Sequence, residues 1–317
     1  TSKRRLVGLY AQADFGWKDA IYLTLSARND WSSTLSPEHN SYFYPSVSGS
    51  FVFSELIPKN DVFTFGKVRA SWAQVGKDAD PYSTNTYMWD AEVVNKNFTG
   101  VGNSWTGGSQ GLKPEIQRSW EVGTELKFFG GRLGLDFTYY NTKTTNQIIQ
   151  PRLAQSTGYI FLTANCGSVM NRGIEVLLTG TPVETRNFSW NTSLNFARNK
   201  GTLGDDFISG ISILYVTDTQ IGGVKAASIP GGDFLALTGN RPYRDYVDYN
   251  ADVKVEKPEG AAYQIDPATG LYKMLTGEST QVGNREPTFS GGWSNDFTYK
   301  NFSLSFLIDF RIGGDIY

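Results

Sequence analysis

Apolar and polar residues alternate along much of the chain, in segments of about ten residues each. From Ile21 to Arg28 every odd-numbered residue is apolar and every even-numbered residue is polar. Asn187–Arg198 and Phe302–Arg311 follow the same pattern. Successive side chains of a β-strand point to opposite faces of the sheet. Each segment therefore predicts a strand with one apolar and one polar face.

Ten such segments follow one another, and their connections are alternately short and long. They lie near residues 6–17, 21–30, 43–53, 63–75, 116–128, 132–144, 171–181, 187–198, 288–299 and 302–311. Short turns are predicted at Trp17, Gly130, Pro182 and Lys300, and the main long connections are 76–114, 150–170 and 200–286. The last of these is predicted to contain strands near 211–216 and 263–273. This order is typical of an all-β, antiparallel transmembrane β-barrel of the outer membrane, with short turns at the periplasmic rim and long loops at the outer face.

Aromatic residues support a membrane barrel, because aromatic girdles mark the two membrane interfaces. One predicted girdle, near the short turns, comprises Phe15, Trp17, Phe128, Phe188, Trp190, Tyr299 and Phe302. The other comprises Trp31, Trp72, Trp120 and Trp293. A soluble β-sandwich shows the same alternation within each strand. The two folds differ in one respect: a barrel leaves its apolar residues exposed as a band about 25 Å tall.

Composition excludes several other classes of protein. Hydrophobic residues make up 39% of the chain, and no apolar run reaches the length of about 18 residues that predicts a transmembrane helix. Net charge is −2, with no basic stripe, so we expect no nucleic-acid binding. Cys166 is the single cysteine and excludes an internal disulfide framework.

Catalytic chemistry is not indicated by any motif. One histidine and one cysteine leave little for a nucleophilic triad, and we expect a protein that is not an enzyme and has no cofactor. Loop carboxylates offer a weak calcium hypothesis, whereas solvated loop acids are the simpler interpretation. The acids concerned are Asp205, Asp206, Asp245, Asp248 and Asp252.

Two groups of residues are candidates for binding. Charged side chains on the polar faces are expected to point into the barrel lumen: Lys67, Arg69, Glu121, Glu125 and Glu175. Aromatic residues of the long connections are candidates for stacking on a sugar, clamping a peptide or contacting a lid: Tyr82, Tyr87, Trp89, Trp105, Tyr243 and Tyr246. The same rings are equally suited to packing the loops themselves.

Several short motifs, in this order, resemble those of the SusC/RagA family of TonB-dependent transporters of Bacteroidota. Residues 28–33 read RNDWSS, 44–48 YPSVS, 112–115 LKPE, 120–125 WEVGTE, 171–175 NRGIE and 287–292 PTFSGG. Together they extend over nearly the whole chain.

This resemblance implies a barrel of about 22 strands with an N-terminal plug and a TonB box. We expect residues 1–317 to be roughly the second half of such a barrel, without its plug, TonB box and final strands. The implied function is TonB-dependent import of an oligosaccharide or oligopeptide across the outer membrane, beneath a SusD-like lipoprotein. The lumen charges would then hold the plug, with plain solvation of a polar interior as the alternative. A soluble glycan-binding or glycan-hydrolysing module remains the alternative, and an autotransporter or porin barrel a weaker one.

Overall fold

The computed structural model describes residues 2–58, 60–91, 100–206, 214–215, 223–239, 265–271 and 280–316. Its main feature is one antiparallel sheet of ten strands, here called the wall. The strands are β1 (Leu6–Trp17), β2 (Ile21–Ser32), β3 (Ser41–Phe51), β4 (Phe63–Lys77), β5 (Glu115–Phe128), β6 (Leu133–Thr145), β7 (Val169–Glu184), β8 (Phe188–Leu203), β9 (Phe289–Tyr299) and β10 (Phe302–Ile312). Each strand pairs with the next one in chain order.

All ten predicted strands are present. Short and long connections alternate except around β3, where the connection 52–62 is longer than the connection 33–40 although it lies on the side of the short turns. We call the edge of the wall with the short connections the turn end and the opposite edge the loop end. At the turn end Lys18 and Asp19 both have positive φ, 50° and 52°. Two such residues in succession match the twist of the strands they join.

One predicted turn is wrong. The chain does not reverse at Pro182, because β7 continues to Glu184 and the turn follows at residues 185–187. Pro182 lies instead in a β-bulge, where the register shifts between Gly180 and Val183. A proline has no N–H for the ladder, and a bulge is one of the few places where a sheet accepts it.

The apolar face of the wall is exposed. Leu23, Leu25, Leu304 and Phe306 keep 38%, 41%, 61% and 41% of their surface accessible. The strand register places both predicted aromatic groups on this same face, with Trp72 opposite Trp120 and Phe188 opposite Tyr299. A soluble sandwich would cover such residues with a second sheet, so its central requirement is not met.

Short strands fill the long connections. They are Met88–Ala91 with Gly100–Asn103, Thr106–Gly107 with Phe161–Leu162, Ile148–Ile149 with Ala164–Asn165, and a small sheet of Leu214–Tyr215, Lys225–Ser228, Ala236–Gly239 and Thr280–Asn284. Leu214–Tyr215 falls within the predicted strand at 211–216. The described part of the predicted strand at 263–273 is mainly a turn instead, in which Gly270 N donates to Asp266 O at 2.8 Å.

In the described part of the chain, helical structure consists of short 3₁₀ turns at Phe53–Leu56, Phe129–Gly131 and Gln155–Thr157. Among the described residues, no helix is both long and apolar enough to cross a bilayer.

Buried apolar residues are few and lie mostly at the loop end. Leu35, Tyr42, Ala79 and Leu112 form one buried cluster there. A single layer of sheet encloses no core of its own, so the interior packing of this chain is found where connections fold over strand ends.

Asp233 ties the small sheet to the wall. Its carboxylate accepts hydrogen bonds from Gln281 Nε2 at 2.7 Å and from Lys200 Nζ at 2.9 Å. Gln281 belongs to the small sheet, and Lys200 to β8. These two donors hold the pKa of Asp233 below its usual value.

We predict that this attachment weakens in acid. A lowered pKa means that the contribution is fully present above the ordinary aspartate pKa of about 3.9 and is lost as the pH falls through the folded value. Hydrogen-exchange protection factors for residues 225–239 and 280–284, corrected for intrinsic rates, should fall selectively in that range. In D233N the weaker protection should already be present at neutral pH. Equal protection in D233N and the parent at neutral pH would contradict the tether.

Candidate functional site

Charged residues on the polar face form two ion-paired groups across β4, β5 and β6. Lys67 lies directly opposite Glu125 in the register, and its Nζ is 2.7 Å from Glu125 Oε2. Lys127 Nζ approaches the other carboxylate oxygen at 3.1 Å. Glu125 thus bridges two lysines on one face of the wall.

Arg69 is the centre of the second ion-paired group. It donates two hydrogen bonds to Asp136, at 2.9 and 2.6 Å, and a third to Thr138 Oγ1 at 2.6 Å. Such a forked, charge-assisted pair fixes the guanidinium in one orientation. Asp136 was not among the predicted site residues, although its position between the apolar Leu135 and Phe137 already indicates the polar face.

Glu121 and Glu175 lie on the same face and form no ion pair with a described residue. Glu121 is opposite Ser71 and Tyr140, and Glu175 is opposite Thr138. Neither carboxylate has an ion pair or hydrogen bond with any residue in the described part of the chain. Glu121 also borders a groove of about 210 Å³ whose lining includes Tyr22, Ser48, Ser50, Arg69 and Ser71. The polar face therefore presents two carboxylates without an ion pair among the described residues, and Glu121 lies beside Arg69 in the same groove.

The NRGIE motif supports a side-chain network on this face. Gly173 leaves room for the ring of Tyr140, since a Cβ there would come within 2.6 Å of the Tyr140 hydroxyl. Tyr140 reaches across β7 and donates to Asn199 Oδ1 at 3.0 Å. Asn199 Nδ2 in turn donates to Asn171 Oδ1 at 3.2 Å and to Glu286 Oε1 at 2.7 Å.

Glu286 completes this network at the end of the longest connection. Its two carboxylate oxygens also accept from Gly201 N, at 2.9 and 3.0 Å. The connection is thus fixed to the wall immediately before β9 begins. Asn199 and Glu286 carried no motif that singled them out in the sequence.

The RNDWSS and YPSVS motifs meet at the loop end of β2 and β3. Arg28 Nε donates to Asp30 Oδ1 at 2.8 Å, and the Tyr44 hydroxyl donates to the other oxygen of the same carboxylate. Asp30 is buried. A buried carboxylate requires such donors, which explains the pairing of the two motifs.

A second buried carboxylate, Asp78, joins three segments beside the first. Arg4 donates to it through Nε at 2.9 Å and Nη2 at 2.7 Å, and the hydroxyls of Ser32 and Thr34 donate as well. Arg4 and Asp78 are 74 positions apart in the chain, so no local pattern identified this pair.

The LKPE motif is held by Asn165 of the neighbouring connection. Lys113 N donates to Asn165 Oδ1 at 2.7 Å, and Asn165 Nδ2 donates to Lys113 O at 2.7 Å and to Asn146 O at 2.8 Å. Glu115 Oε1 accepts from Ile148 N at 2.8 Å. The connections 78–114 and 146–168 are therefore joined at their bases.

Three candidate aromatics cluster on the connection 78–114. The rings of Tyr82 and Tyr87 meet edge to face at 5.9 Å. Trp89 lies two residues beyond Tyr87, on the same face of the hairpin, and its ring lies over Gly102. Trp89 Nε1 donates to Asn103 O at 2.9 Å, which fixes the ring with about half its surface exposed.

Trp105 does not join this cluster. Trp105 lies beyond the paired residues of this hairpin, whose register places Met88 and Val101 on the face opposite Trp89. Met88, Val101 and Trp105 are 72%, 62% and 69% exposed. Tyr243 and Tyr246 lie outside the described residues.

The calcium hypothesis stays a prediction. Asp206 Oδ1 accepts from Ser168 Oγ at 2.8 Å, and Asp245, Asp248 and Asp252 lie outside the described residues. Where the structure is described, no group of three metal-ligating side chains occurs.

We predict that the substitution Gly173→Val destabilises the wall. A side chain at this position meets the Arg198 carbonyl at 2.4 Å and displaces the Tyr140 ring, and overpacking of this kind costs about 1–3 kcal/mol. Denaturant unfolding of the purified protein should show the loss. G49V is the matched control, because a Cβ at Gly49 finds its nearest neighbour at 3.8 Å. Equal stability of G173V and G49V would contradict this account of the motif.

Comparison with known proteins agrees with this geometry. The family model described as "TonB dependent receptor-like, beta-barrel" matches residues 1–314. TonB-dependent receptor P26 of Formosa agariphila is 27% identical over 328 residues, which cover 99% of this chain and 32% of that protein. TonB-dependent receptor SusC of Bacteroides thetaiotaomicron is 24% identical over 342 residues, covering 100% and 32%.

The solved structure of the RagAB peptide transporter shares the fold. Its TM-score is 0.77 at 20% identity, and the match covers 95% of this chain and 33% of that one. The chain thus spans about a third of the length of the relatives it matches. The wall is part of a transmembrane β-barrel. With its exposed apolar face and a family model matched along nearly its whole length, the chain belongs to the TonB-dependent receptor β-barrel family and resembles SusC and RagA.

Proposed function

We propose that this chain forms part of the wall and outer loops of an outer-membrane transporter, which imports an oligosaccharide or oligopeptide with energy supplied through TonB. The observation that carries the proposal is the division of one sheet into an exposed apolar face and a charged polar face. A wall between lipid and an aqueous or protein-filled lumen requires this division. In this orientation the loop end lies outside the cell.

The lumen charges support contact with a plug. Lys67, Arg69 and Glu125 already have partners within the wall, so they shape a rigid surface. Glu121 and Glu175 do not, and a carboxylate facing a protein-filled lumen is stabilised only by a donor from the filling segment. We therefore propose that these two glutamates form ion pairs with basic side chains of the plug.

The double substitution E121Q/E175Q tests this assignment in the complete receptor that contains the chain. Removing both charges should weaken plug docking and raise hydrogen exchange in the plug roughly tenfold or more, because each charge-assisted contact contributes about 1.5–3 kcal/mol. E38Q/E55Q removes the same charge from exposed connections and should leave plug exchange unchanged. Identical plug exchange in the two variants would remove Glu121 and Glu175 from the plug contact.

Uptake is measured in cells that lack the gene and carry either the parent or a variant. The probes are fluorophore-labelled oligosaccharides from a starch digest and labelled oligopeptides from a casein digest. Import of one probe class that depends on both the gene and TonB supports the transport proposal. Absence of import of both classes by the parent, with the receptor present in the outer membrane, contradicts it for these substrates.

Residues 82–91 and 100–109 supply two surfaces at the loop end. Tyr82, Tyr87 and Trp89 form one aromatic surface, which suits stacking against a ligand. Met88, Val101 and Trp105 form the other, an exposed apolar surface that suits a protein contact. We assign the first to the ligand and the second to a SusD-like lipoprotein lid.

Two matched substitutions separate these roles. W89A should weaken binding of the imported probe by about tenfold, since a stacked aromatic contributes about 0.5–1.5 kcal/mol beyond its buried area. W105A should leave the ligand affinity nearly unchanged and lower the recovery of the lipoprotein on co-purification. Equal effects of the two substitutions on both measurements would contradict separate surfaces.

A further inference from the structure

Every charged residue on the lipid face of the ten wall strands is a cation. The register assigns five charged side chains to this face: Arg118 in β5, Lys143 in β6, Arg172 in β7, and Arg198 and Lys200 in β8. No aspartate or glutamate shares it on any of these strands. The five residues, here called the cationic belt, all lie toward the loop end and are all exposed.

The belt lies at the height of lipid headgroups. Along β8, twelve residues separate Phe188 at the turn end from Lys200. At about 3.3 Å per residue and a tilt near 40° this corresponds to roughly 30 Å across the membrane, against an apolar band of about 25 Å. Trp120 and Tyr139, whose rings lie 5.2 Å apart, face lipid below the belt. Aromatic side chains at this position mark the membrane interface.

Within the belt, like charges face each other across neighbouring strands. Arg118 is directly opposite Lys143, and Arg172 is directly opposite Lys200. Directly opposed like charges destabilise a sheet. An anion shared between the two side chains converts this repulsion into two charge-assisted contacts.

Protein carboxylates neutralise only one side of the belt. Lys200 is paired with Asp233, and Arg198 borders a cleft that also contains Glu286 and Asp315. Arg118 donates to the neutral Gln74 at 2.8 Å. Lys143 and Arg172 have no ion pair with a described residue. Three cations on three adjacent strands therefore have no counter-ion among the described residues.

We propose that the belt binds the phosphate groups of an anionic glycolipid of the outer leaflet, with Arg118, Lys143 and Arg172 as its centre. Exposed cations at the height of the headgroups suit the phosphates of a lipid. A protein partner would also require an apolar core within the contact surface. The inference rests on the proposed outer-membrane orientation, which brings the loop end to the outer leaflet.

The test uses the complete receptor purified in a neutral detergent and titrated with phosphorylated lipid A under native mass spectrometry. The triple substitution R118Q/K143Q/R172Q should weaken binding by at least about tenfold, since each cation near an anionic surface contributes about 1 kcal/mol. K18Q/R186Q/K300Q removes the same charge at the turn end and should bind like the parent. Lipid A stripped of its phosphates should bind the parent as weakly as it binds the triple variant.

Three results would overturn the proposal: equal affinity of the triple variant and the parent, an equal loss in the turn-end control, or no preference for the phosphorylated lipid. Inorganic phosphate at the same concentration distinguishes a free-phosphate site, because its competition at equimolar amounts would assign the belt to phosphate rather than lipid.

Uptake assays on the same variants keep the two proposals apart. Normal uptake by the triple variant, with a lipid affinity equal to that of the parent, rejects only the cationic belt. Absent uptake by the parent, with the expected difference in lipid affinity between parent and triple variant, rejects only the transport proposal.

Discussion

The structure depends on the requirement that a backbone within hydrocarbon satisfies its own hydrogen bonds. Adjacent antiparallel strands meet this requirement by pairing along their whole length, which leaves the side chains free to differ on the two faces. The wall is therefore a single layer, and its few buried apolar residues are displaced to the loop end. Burial of Asp30 and Asp78 there follows, because the connections supply the arginine, hydroxyl and tyrosine donors that a buried carboxylate needs.

The same constraint made the wall predictable. A side-chain period of two is imprinted on every membrane strand, so the ten strands and the order of their connections follow from the alternation. Pro182 was misplaced because a proline in a bulge and a proline in a turn look alike in sequence. The lumen residues could be assigned to a face, yet their partners could not. The pairing of Arg69 with Asp136 spans three strands and depends on register rather than on spacing along the chain.

Contacts at the loop end were largely hidden from sequence reasoning for a related reason. The motifs marked where constraints exist, and the structure shows what each one holds: Gly173 admits a ring, Asp30 collects two donors, and Lys113 is held by Asn165. Their partners lie in other segments, and connection geometry has no periodicity that would reveal them. The cationic belt is an intermediate case, since it emerges once the register assigns each charge to a face.

Asn165 has a further consequence for how such proteins diversify. Its hydrogen bonds to Lys113 and Asn146 fix the bases of two outer connections independently of their tips. Insertions or substitutions beyond these hydrogen bonds alter the exposed tips of the connections and leave the strand register unchanged. Changes in the tips therefore need not disturb the hydrogen bonds that hold the bases together.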